Sequence, residues 1–151
     1  MKKIKAQSII EFGITFIVAI FMVFFILECA FYYQAHNAVQ TFNDEINANL
    51  VLYDADIVCS EIQNQEILSM TESKAKKYFK KNIELNYFKN SNSYVEIVSA
   101  DKINNKPMLT MKISCPPSGL IIKSDYVYNG AFLFKTGSVL SSVSSVETPR
   151  F

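Results

Sequence analysis

Between Phe12 and Leu27 only Thr15 is polar. Counted from Ile9, the segment is about as long as a bilayer-spanning helix requires, ~20 residues, provided Glu11 is tolerated near one end. Lys2, Lys3 and Lys5 stand directly before it. That bias predicts a cytoplasmic N-terminus and places everything after Tyr33 beyond the membrane. The chain length fits one domain plus this anchor.

Glu11 is the exception in the run. A carboxylate so close to hydrocarbon costs a few kcal/mol unless it is paired or reaches the interface. Two readings stand side by side. Glu11 is a snorkelling acid at the cytoplasmic interface, or it awaits a cation. A cut after Ala6 would supply one: Gln7 would then carry a free ammonium, four residues and about one helical turn from Glu11. A free α-amine is mostly protonated at neutral pH.

Ala6-Gln7-Ser8-Ile9-Ile10-Glu11-Phe12 resembles the processing site of a type IV prepilin. Such a site has a short basic leader, a small residue before the cut, a glutamate fifth in the mature chain and an unbroken apolar helix. The Glu-Phe pair is similar to the Glu-Tyr of small Flp pilins and points to the tight-adherence (Tad) branch. Ile26-Leu27-Glu28-Cys29-Ala30-Phe31-Tyr32-Tyr33-Gln34-Ala35-His36-Asn37-Ala38 resembles the end of the TadE-like pseudopilin segment. There a second glutamate closes the apolar run and aromatic, glutamine and alanine residues follow. The resemblance covers roughly residues 5–45. Departures are Ala6 where glycine is commonest, Cys29-Ala30 where Phe-Gly is frequent, and the missing proline of the apolar run.

Other fates of the N-terminus fit less well. Glu28 and the bulky Phe31, Tyr32 and Tyr33 make a poor signal-peptidase site, and Glu28 directly before Cys29 argues against a lipoprotein cysteine. An uncleaved signal anchor explains the hydrophobicity and the lysines but not Glu11.

No proline occurs before Pro107, so the helix is expected to continue past the membrane. Ala35, Ala38, Val39, Phe42, Ile46, Ala48, Asn49 and Leu50 contain apolar positions at three- and four-residue spacings. One helix from Ser8 to Ala55 would be roughly 70 Å long, apolar all round in its first half and amphipathic in its second. Glu28 falls near the end of the run, within reach of water or a neighbouring cation, as an interfacial acid or an assembly contact. His36, the sole histidine, reads as an ordinary polar helix residue.

Ser69-Met-Thr-Glu72 fits a capping box opening a second helix. Ala75, Tyr78, Phe79 and Ile83 form its buried stripe, and Lys74, Lys76, Lys77, Lys80 and Lys81 its solvated face. Strand patterns follow at Tyr94–Val98 and Met108–Ile113, with Asn104-Asn105 as a turn between them. Leu120–Tyr128 and Ala131–Lys135 flank Asn129-Gly130, a hairpin signal. The serine- and valine-rich tail from Ser138 has no assignment. The fold expected is α+β: a long N-terminal helix, a short second helix and an antiparallel sheet of about four strands.

Half the residues are apolar and the formal charge is +1, so there is no strong electrostatic case for a nucleic-acid partner. With four glycines and four prolines, collagen-like and low-complexity classes drop out. Cys29, Cys59 and Cys115 contain no Cys-x-x-Cys pair. Cys59 and Cys115 both fall beyond the membrane, where oxidation would allow them to pair, while Cys29 reads as a small residue of the membrane segment. No nucleophile-base pair, phosphate loop or metal cluster is legible. Asp54, Asp56 and Glu61 lack the spacing of a calcium loop. Neither an enzyme nor a cofactor is expected.

The resemblance implies a minor pilin or pseudopilin. Residues 1–6 are its leader, 7–33 its membrane and assembly helix, and 34–151 its extracytoplasmic domain. Its implied partners are other pilin subunits, a prepilin peptidase cutting at Ala6–Gln7, the inner-membrane assembly platform and the lipid bilayer. Gln7, Glu11 and Glu28 are the implied charge-pairing positions in a single-pass protein of the bacterial inner membrane. The alternative is an uncleaved single-pass envelope protein whose outer domain binds a partner.

Overall fold

Fifty residues, Lys2–Val51, form one uninterrupted helix, α1. The computed structural model describes residues 2–52, 65–81, 83–85, 87–91, 94–116, 119–131 and 137–147. The expected extension of α1 to Ala55 lies outside them, as do Asp54, Asp56, Cys59 and Glu61.

The second half of α1 buries a stripe: Val39, Phe42, Ile46 and Leu50 are each at most 1 % exposed. Their three- and four-residue spacing puts them on one helix face. Burying each such side chain contributes about 1.5–3 kcal/mol. Ala48, expected in this stripe, is exposed.

The second helix, α2, spans Gln65–Phe79. It therefore contains Ser69 and Glu72 instead of starting at them. The Ser69 hydroxyl donates back to the Glu66 carbonyl at 2.9 Å, so the expected capping box does not form. Glu72 meets Lys76 one turn on, at 2.5 Å. Ala75 and Ile83 are fully buried, and Tyr78 and Phe79 pack against the core. Lys80, at φ 48°, turns the chain out of the helix.

The strands are β1 (Tyr87–Ser91), β2 (Tyr94–Val98), β3 (Lys102–Ile103), β4 (Lys106–Pro107), β5 (Leu109–Ser114), β6 (Gly119–Tyr128) and β7 (Ser138–Glu147). They form a five-stranded sheet in the order β1-β2-β5-β6-β7 and a small β3-β4 hairpin. Each pairing is antiparallel. This is the expected α+β arrangement, a long helix laid on an antiparallel sheet. Val95, Ile97, Leu109, Met111, Ile113, Leu120 and Ile122 line the buried sheet face. Phe42 joins the layers, with its ring 5.5 Å from Phe79, which stacks on Tyr126 at 4.5 Å.

Asn104 and Asn105 both have positive φ, 51° and 64°, as a tight primed hairpin turn demands and as asparagine tolerates. At Asn129-Gly130 the outcome differs from the two-residue turn expected. The partner of β6 begins at Ser138, Ala131 lies outside any strand, and residues 132–136 fall outside the described set. Gly137 precedes that strand at φ +75°, where an added Cβ would come within 3.2 Å of Val127 Cγ1.

The unassigned tail is thus a ten-residue edge strand, with apolar and polar residues mixed on both faces. Leu140 and Ser142 face inward, whereas Val139 and Val143 are exposed. The inward serines meet asparagines of α1. Asn43 donates to the Ser142 carbonyl at 2.8 Å and accepts from the Ser124 hydroxyl. Asn47 donates to the Ser144 hydroxyl at 2.7 Å. Burying polar groups is tolerable when they satisfy one another, as Asn43 and Ser124 do; Asn47 Oδ1 is buried without a hydrogen bond among the described residues.

Candidate functional site

The residues singled out from the sequence lie along α1 and at the root of the domain. The apolar run of α1 is exposed along its length: Ile9 is 71 % exposed, Phe12 72 % and Ile26 63 %. Contiguous apolar surface on this scale exceeds what soluble monomers normally show. This helix is long and apolar enough to cross a membrane, and none of its most apolar stretch is buried. Thr15, the one polar residue between Phe12 and Leu27, is accommodated locally, as its hydroxyl donates to the Glu11 carbonyl at 2.8 Å. Within hydrocarbon, such intrahelical bonding is what allows a hydroxyl.

Ala6 and Gln7 are helical and exposed. The Gln7 amide donates to Glu11 Oε1 at 3.2 Å, so helical geometry brings residue 7 and the acid onto one face. In the intact chain this is a neutral donor to a carboxylate. A free ammonium on Gln7 would add a charge at the same turn.

Glu28 is placed differently from expectation. It is 6 % exposed, tucked where α1 meets the domain and out of water's easy reach. Tyr128, at the end of β6, faces it: burial first and the Glu28 carboxylate second push the Tyr128 phenol up. Tyr32, one turn beyond Glu28, packs edge-on against Tyr128 at 5.6 Å. The sequence did not single out Tyr128, because nothing local marks a tyrosine a hundred residues away as the acid's neighbour.

A second polar joint was also missed. Glu45 on α1 accepts from Lys74 and from the Tyr78 hydroxyl of α2, and Lys77 lies 3.7 Å away. The hydrogen bond from Lys74, then that from Tyr78, holds the Glu45 carboxyl below its ordinary value of 4.5. Lys74, read as solvated, is thus half-buried against α1. His36 is half-buried on α1.

Cys115 is disulfide-bonded and Cys29 is a free, half-buried cysteine. The expected partnership of Cys115 with Cys59 falls on a residue outside the described set. Among the described residues, no group of three or more His, Cys, Asp or Glu is placed to hold a metal. Compared with family models, curated proteins and solved structures, the chain matches none of them.

Proposed function

We propose that this chain is a minor pilin or pseudopilin of the TadE-like, tight-adherence kind. In this reading it is made as a single-pass precursor, cut between Ala6 and Gln7 by a prepilin peptidase, and built into or beneath a pilus-like fibre by its N-terminal helix. The observation that carries the reading is the division of α1. Its domain half is packed, while its N-terminal half offers an exposed apolar surface that begins at a Gln7–Glu11 contact. Lipid satisfies such a surface in the precursor, and the same segments of neighbouring subunits satisfy it in an assembly. An acid inside that bundle is penalised unless a cation meets it, and the ammonium released at Gln7 is suited to that task.

The test is Glu11→Ala in the native host. Membrane insertion should be unchanged, whereas recovery with pilin subunits should fall at least about tenfold, the equivalent of ~1.4 kcal/mol. Normal incorporation of the variant would remove Glu11 from the mechanism. A second reading, an uncleaved envelope protein whose outer domain binds a partner, keeps the same exposed helix as a simple anchor.

A further inference from the structure

The contacts between α1 and the sheet set which end of the domain faces the bilayer. Asn47 meets Ser144, Asn43 meets Ser142, and Tyr32 meets Tyr128, which pairs with Ser138. Moving down α1 toward the membrane therefore means moving down β7 toward its first residue. The last residues of β6, the start of β5 at Leu109 and the β3-β4 hairpin before it collect at that same end. An added Cβ on Gly137 would lie 3.4 Å from Asn104 Nδ2, so the hairpin tip sits at the level of Gly137 and hence near that of Tyr32. Tyr32 is five residues beyond Leu27, about 8 Å along a helix. That depth is occupied by headgroups, which extend ~5–8 Å beyond the hydrocarbon on each side.

This end of the domain is basic. Lys102 and Lys106 on the hairpin, and Lys80 and Lys81 just after α2, are exposed. The segment after α2 is held here by Phe79 on Tyr126 and by the Ala100 amide, which donates to the Glu84 carbonyl at 2.7 Å. Among the described residues here, Glu84 and Asp101 are the exposed acids, so these four lysines outnumber them two to one. The hairpin is presented on a firm base. Buried Ser99 donates to the Asp101 carbonyl at 2.9 Å and accepts from the Leu109 amide at 3.1 Å, and the Met108 amide donates to the Asp101 carbonyl at 2.8 Å.

We propose that this end is a lipid-facing surface, in which Lys102 and Lys106, flanked by Lys80 and Lys81, engage the phosphates of anionic headgroups. The contact fixes the stance of the domain on the membrane before any assembly. It rests on reading α1 as membrane-spanning and is independent of the pilin reading.

The test uses the full chain in nanodiscs of phosphatidylcholine alone or of phosphatidylcholine with phosphatidylglycerol, followed by hydrogen–deuterium exchange. The amides of Lys102 to Lys106 should exchange more slowly in the anionic discs, by about fivefold for each lysine engaged. High salt should remove the difference, because the charges are exposed. Lys102→Gln with Lys106→Gln should also remove it while leaving exchange in β6 unchanged, which shows that the fold is intact. Equal hairpin exchange in both discs, with the protein fully incorporated, would overturn the proposal and leave the membrane reading standing. Protection that follows protein concentration instead of lipid would assign the surface to a second copy and also overturn it. A chain that fails to enter either disc defeats the membrane reading and this proposal together.

Discussion

Residues 9–27 and 28–50 of α1 share one backbone and meet opposite surroundings. In the first half large apolar side chains are exposed on all sides. In the second, a single stripe is buried to the last few per cent while the other faces stay wet. The helix itself is indifferent to this change, because its hydrogen bonds are internal and no proline or glycine pair interrupts them. What differs is the side-chain pattern. A helix apolar all round must find its partners outside the chain, and one with a stripe finds them inside. Glu28 sits at the seam, buried against Tyr128, where the anchor becomes part of the domain.

Truncating one residue in each half should have unequal effects. Phe42→Ala should lower the stability of the domain by about 3–5 kcal/mol, because Phe42 is fully buried between α2 and the sheet. Ile17→Ala, at an exposed position of the apolar half, should leave the thermal midpoint of the detergent-solubilised domain unchanged. Equal losses would mean that the two halves are not separately partnered.

A smaller effect tests how the stripe is registered on the sheet. Asn43→Ala should cost about 1–3 kcal/mol, since it strands the Ser124 hydroxyl and the Ser142 carbonyl that Asn43 satisfies. Denaturant unfolding of the variant measures this, and a neutral result would make the asparagine-serine contacts incidental.

The smallest expected effect lies at the α1–α2 joint. Glu45 is held below its ordinary value in the fold. Its contribution is therefore complete above about 4.5, its unfolded value, and is lost as pH falls through the lower folded value. Glu45→Gln should cost at most about 1 kcal/mol at neutral pH and flatten the acid limb of the stability curve. An unchanged acid limb would show that other carboxylates govern it.

The long helix, its stripe, and the strands at Tyr94–Val98 and near Met108–Ile113 were legible because each rests on a local period that a few residues reveal. The Asn104-Asn105 turn was legible for the same reason. β7 was not, because serine and apolar residues are mixed on both of its faces. Serine usually marks turns and exposed faces, yet here Ser142 is buried, and its partner Asn43 lies 99 residues away. The Asn129-Gly130 signal misled because a turn dipeptide gives the local bend but not the start of the next strand. β1 (Tyr87–Ser91) carries too little alternation to stand out before its pairing with β2 is known. At the candidate site, helical spacing put Gln7 one turn from Glu11, but the contact there is made by the Gln7 side-chain amide and not by the α-ammonium expected after a cut at Ala6. The burial of Glu28 could not be read from spacing, since it depends on where β6 ends. Lys74 misread as solvated makes the same point, because its acid sits on another helix.

On the proposed function, cleavage at Ala6–Gln7 turns the apolar half of α1 from a simple anchor into an assembly helix. The mass and N-terminal sequence of the protein taken from its native membrane decide between the two. A pilin-like subunit should begin at Gln7, or at its cyclised pyroglutamate form, which would require a different cation for Glu11. A chain that retains Lys2 to Lys5 would contradict the pilin reading and leave the uncleaved anchor as the better description.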